Sequence, residues 1–134
     1  MNKNIVKLVK SITATTNGKG FWSGEKRKVK IDSIEIDSIT DDDGVEIDVG
    51  DKTQTPEMLY LRVFFNRKDW NVEKHGLIYT DEKWIAQLRK GLREIGVTAT
   101  GLEYTEQGMQ GDDYVSLSIY KKPKTIAAFI KAFH

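Results

Sequence analysis

The run MLYLRVFF, Met58–Phe65, is the most strand-like stretch of the chain. Aromatic, β-branched and leucine side chains fill it, and Leu59, Leu61, Val63 and Phe65 fall on one face of a pleated strand. The other face, Tyr60, Arg62 and Phe64, is only half polar, which predicts that something covers it as well. A strand with apolar side chains on both faces reads as the centre of a sheet.

Downstream, Asn66–Tyr79 is a long connection holding Trp70, His75 and Gly76. Connections of that length are often functional or irregularly packed. Thr80 then stands as an N-cap, with Asp81 and Glu82 in the first turn where the helix dipole favours acids. Trp84, Leu88, Leu92 and Ile95 recur at helical spacing, Ile85 widens the stripe, and Gly96 stops the helix. Its opposite face carries Lys83, Arg89, Lys90 and Arg93 and reads as solvated. Two strands are predicted over 98–105 and 113–120, the second with Val115, Leu117 and Ile119 alternating against Tyr114, Ser116 and Ser118. Pro123 opens a last helix whose Ile126, Phe129, Ile130 and Phe133 need a sheet to dock on.

Upstream, Val29 and Ile31 alternate with charged residues, but after Ser33 the apolar positions shift to Ile34 and Ile36. A bulge near Asp32 and Ser33 keeps both sets on one face. Asp43-Gly44 is a two-residue hairpin signal, followed by Val45, Ile47 and Val49 alternating with Glu46 and Asp48. Val6, Leu8 and Ile12 predict a first strand ending at Asn17-Gly18, and Lys19–Gly24, with Phe21 and Trp22, bridges to the second. The order β-β-β-β-α-β-β-α predicts a single α+β domain over 1–134: an antiparallel sheet of about six strands with two helices packed on one face.

The composition narrows the functional classes. With no cysteine among 134 residues there is no disulfide framework, thiolate metal site or cysteine nucleophile, and a reducing cytoplasm is the expected location. No apolar run approaches the ~20 residues that span a bilayer, so no membrane association is expected. The net charge of +1 conceals two blocks: residues 1–30 hold eight cations against Glu25, and residues 31–51 hold nine acids and no cation. Such blocks either neutralise each other across neighbouring strands or present separate faces to partners.

Catalytic and metal patterns are thin. TDDDGVEIDVGD is not a calcium loop: with Gly44 as the turn glycine, the first ligand position falls on Ile39 and the twelfth on Gly50. His75 is the only histidine away from the C-terminus, and none of the serines has a nucleophile-elbow context. Asp69, Glu73 and His75 match no recognised metal spacing. GKGFWSG lacks both the Walker lysine-threonine pair and a strand–GxGxxG–helix setting. No cofactor is expected.

Two surfaces remain. In EQGMQGDDYVSL, Glu106–Leu117, Gly108 and Gly111 permit a wide turn, Gln107 and Gln110 offer donors and acceptors, Met109 an adaptable apolar contact, and Glu106, Asp112 and Asp113 a field that steers a basic partner. The loop spends more residues than a turn needs, which favours recognition. The acidic hairpin, with Asp41, Asp42, Asp43, Glu46 and Asp48, is expected as a second contact surface, one that would imitate phosphate spacing and occupy a nucleic-acid site on its target. YLRVFF and EQGMQGDDYVSL, separated by the amphipathic helix, together resemble small uncharacterised bacterial proteins of phage or mobile-element type; the resemblance spans residues 58–119 and implies no activity. The reading is a non-catalytic module that binds another protein, with a homodimer as one way of closing an open edge. The alternative is a single-stranded nucleic-acid binder using Phe21, Trp22, Lys26, Arg27, Lys28 and Arg62, where stacking surfaces adjoin cations.

Overall fold

A computed structural model describes residues 3–20, 24–48, 53–66, 68, 70–79, 83–107 and 114–133. The elements are α1 (Lys3–Lys10), β1 (Thr13–Thr15), β2 (Lys28–Thr40), β3 (Met58–Phe65), α2 (Val72–His75), α3 (Lys83–Glu94), β4 (Glu103–Gln107), β5 (Tyr114–Tyr120) and α4 (Pro123–Phe133). The five strands form one antiparallel sheet in the order β1-β2-β3-β5-β4. The class is α+β as expected, with five strands and four helices among the described residues instead of six and two.

β3 is central, flanked by β2 and β5. Its pairing lays out one apolar row after another: Ile39–Leu59–Ile119, Ile36–Leu61–Leu117 and Ile34–Val63–Val115. Leu59, Leu61, Val63, Val115, Leu117 and Ile119 are completely buried. Each such side chain contributes roughly 1.5–3 kcal/mol of burial free energy. α1, α3 and α4 deliver Ile5, Val9, Trp84, Leu88, Leu92, Ile126 and Phe129 to the same core, and Trp84 meets Phe65 edge-on at 5.4 Å between ring centroids. The register slips between Ile31 and Ser33, where the sequence places a bulge, and again between Ile36 and Ser38.

Three expectations are corrected. The N-terminal segment is helix α1, not a strand: Ile5, Leu8, Val9 and Ile12 stand at i, i+3, i+4 and i+7, and that period outweighs the shorter alternation of Val6 and Leu8. Leu8 lies where a Cβ on Gly91 would stand, so the glycine lets α1 and α3 approach closely. After the Asp43-Gly44 turn, the chain makes an isolated bridge, Thr40 to Glu46, with Val45 exposed and Ile47 buried, rather than the predicted strand; Val49 lies outside the described residues. Between Gly96 and Glu103 the chain is not a strand either: Val97, Ala99 and Leu102 are buried without a ladder, and β4 starts at Glu103.

The connection after β3 ties the sheet's two edges together. Thr16, just past β1, bridges Ile78, with Asn17 N–H donating to Leu77 O at 2.8 Å and Tyr79 N–H to Thr15 O at 2.7 Å. On its other side Ile78 is held by Gln107, the last residue of β4: Oε1 accepts from Ile78 N at 2.7 Å and Nε2 donates to Ile78 O at 2.9 Å. A side-chain carboxamide thus takes the place of the next strand's backbone, and the curled sheet is closed through residues 77–79.

Candidate functional site

The same registers lay out the sheet's opposite face. Across it run the rows Thr40–Met58–Tyr120, Ser38–Tyr60–Ser118–Glu103, Glu35–Arg62–Ser116–Glu106 and Ser33–Phe64–Tyr114. Large side chains on β3 are flanked by serines on β2 and β5. Met58, Tyr60, Arg62 and Phe64 are each only half-buried and Tyr120 is exposed. The predicted cover over this face is absent among the described residues: α1, α3 and α4 serve the inner face.

The Arg62 guanidinium is already engaged. Arg62 Nη2 lies 3.2 Å from Asp37 Oδ1, with both side chains more than a third exposed, and the guanidinium carbon sits 4.8 Å from the Tyr114 ring centroid. Asp37 reaches it because the second bulge of β2 turns that residue out of register. Phe64 and Tyr114 pack at 5.6 Å. Four carboxylates, Glu35, Asp37, Glu103 and Glu106, lie around Arg62 and the neighbouring rings on this face.

The acidic turn continues that border. Asp41 Oδ1 accepts the N–H groups of Asp43 and Val45, both at 2.9 Å, and Gly44 takes φ 80°, so Asp41 shapes the turn while Asp42, Asp43 and Glu46 project into solvent. Asp48 is exposed and its N–H donates to Gln54 Oε1 at 3.0 Å. Lys121, with Nζ 5.2 Å from the Tyr120 ring centroid, is held above the usual lysine pKa by its hydrogen bond to Tyr120 and by that ring's charge, then by Asp42 and Glu57. The turn therefore stands at the Tyr120 end of the face.

The remaining sequence-predicted residues are dispersed. Glu106 lies in the outer rows, whereas Gln107 faces the other way and is the latch to Ile78. Met109, Gln110, Asp112 and Asp113, together with Phe21 and Trp22, lie outside the described residues. Lys26 lines a cleft of about 370 Å³ with Thr15, Tyr79, Lys83 and Gln87. Arg27 donates its N–H to Thr16 Oγ1 at 2.8 Å and places Nη1 3.3 Å from His75 Nε2. Lys28 sits at the far end of β2, seven residues from the partner of Arg62, roughly 20 Å at ~3.3 Å per residue. Arg62 thus stands apart from Lys28 along the sheet.

His75 is used internally. It is buried, Nδ1 accepts the Asn71 N–H at 3.0 Å, and Nε2 faces Arg27. Asn71 in turn caps α2 through Oδ1, and Trp70 Nε1 donates to Gly76 O at 2.9 Å. Among the described residues, no three histidines, aspartates or glutamates converge as metal ligands. No described helix is long and apolar enough to cross a membrane.

No family model, curated protein or solved structure matches this chain. The site therefore rests on its own geometry. The sequence pointed to Tyr60, Arg62 and Phe64 but missed Glu35, Asp37, Glu103 and Tyr120 as their neighbours. The alternation of Tyr114, Ser116 and Ser118 was the available signal; the register that sets it beside β3 was not.

Proposed function

We propose that the protein is a non-catalytic binding module whose outer sheet face docks a positively charged surface of another protein. The observation that carries this reading is the engaged state of Arg62. With its guanidinium neutralised by Asp37 and laid over Tyr114, the face offers aromatic rings inside an acidic border. Arginine and lysine side chains of a partner fit such a face twice over, by charge and by cation–π contact. The acidic turn, with Asp42, Asp43 and Glu46, lengthens the same field. His75 is buried, and its Nδ1 is taken up by the Asn71 N–H.

The test is affinity capture from nuclease-treated lysate with the wild type and with Glu35→Lys/Glu103→Lys. Both glutamates are exposed, so the fold is expected to survive, and circular dichroism checks it. The reading predicts a protein captured despite nuclease and reduced at least ~10-fold by the reversal, since like charges facing each other cost several kcal/mol at an interface. Capture that vanishes with nuclease, or that ignores the reversal, contradicts it.

A further inference from the structure

The helix side of the sheet has the opposite electrical character. Within their spans α1 carries Lys3, Lys7 and Lys10, α3 carries Lys83, Arg89, Lys90 and Arg93 against Glu94, and α4 carries Lys124 and Lys131. That is nine cations to one acid. An exposed stripe of this kind is ordinarily just solvated, but on α3 part of it faces a wall.

Past the end of α3, Gly96 at φ 85° reverses the chain so that Thr98 and Thr100 run alongside the helix while Val97 and Ala99 turn into the core. Between helix and segment lies a groove of about 340 Å³. Arg89, Lys90 and Arg93 line one side at i, i+1 and i+4, Thr98 and Thr100 the other, with Ala86 and Ala99 between. Among the described residues no carboxylate lines it. Arg89 is pre-positioned, because its Nη1 donates to Leu102 O at 2.6 Å. The basic strip also runs on past the groove: the side chain of Lys122 lies against Gly101, next to Thr100.

We propose that this groove binds the phosphates of a single-stranded nucleic acid. Three cations and two hydroxyls match adjacent phosphates, the alanine floor admits the sugar between them, and the continuation toward Lys122 favours an extended strand over a compact anion. The acidic outer face lies across the sheet and does not oppose it. This site shares no residue with the protein-docking face, and it differs from the Phe21–Lys28 surface that the sequence alone offers.

The experiment is fluorescence anisotropy of a labelled mixed-sequence strand of about 12 nucleotides, titrated at roughly 50 and 200 mM salt. Three phosphate contacts predict a log–log salt slope of about −2, from ~0.7 per contact on single strands. Lys90→Glu/Arg93→Glu is expected to weaken binding at least ~10-fold and flatten that slope. Lys19→Glu/Lys68→Glu, which changes net charge equally at exposed sites away from the groove, is expected to stay within about two-fold. Circular dichroism verifies the fold of both. Absence of binding at the lower salt, equal weakening by both double variants, or binding of inorganic pyrophosphate without binding of the strand would overturn the proposal.

Discussion

Gly20→Ala is expected to cost roughly 3 kcal/mol or more of folding stability, read as a lowered urea midpoint at unchanged slope. A Cβ on Gly20 would overlap Lys74 O and C and stand 2.7 Å from His75 N. All three are backbone atoms, so no rotamer change relieves the overlap. The loop before β2 would have to lift off α2, and with it go the contacts that set His75 between Asn71 and Arg27. Gly44→Ala is the contrasting case. Nothing lies within 4 Å of its Cβ position, and only φ 80° opposes the substitution; the expected cost is about 1 kcal/mol. Equal effects at the two positions would mean that the 17–20 segment does not pack on α2.

Gln107→Ala is expected to lose about 3 kcal/mol, because it strands both backbone groups of Ile78, a residue only 2% exposed. Each buried group left without a partner costs about 1–3 kcal/mol. Gln107→Glu keeps an acceptor for Ile78 N but sets a carboxylate against Ile78 O, so it is not a conservative replacement here. Urea unfolding of both variants measures the loss, and amide exchange locates it: the Ile78 N–H should exchange far faster in Gln107→Ala than in the wild type. A glutamine serving only as a surface contact would move neither quantity.

These two positions also show where sequence reasoning succeeds and where it stops. β3, β5, α3 and α4 were legible because each repeats its apolar residues at one clear period over seven residues or more, and the first bulge because the phase of that repeat slips at Ser33. α1 was misread because eight residues fit two periods in part, and Ile5 decides between them. The chain beyond Gly44 alternates as a strand would, yet alternation does not supply a neighbour to pair with. Gln107 was assigned to an external partner because a glutamine beside a glycine-rich loop carries no local mark of a contact 29 residues away. The outer face was half visible for the same reason. Period two placed Tyr60, Arg62 and Phe64 together, but which acids border them depends on register, and a second bulge at Asp37 supplies the one that neutralises Arg62.

The most direct measurement is site-specific photo-cross-linking, with a benzophenone amino acid replacing Tyr60 in one variant and Ala127, exposed on α4, in another. After nuclease treatment, position 60 is predicted to give a discrete adduct with another protein and position 127 none. An adduct at 127 alone, or none at 60 while the fold is intact, would contradict the assignment of the uncovered sheet face as the docking surface.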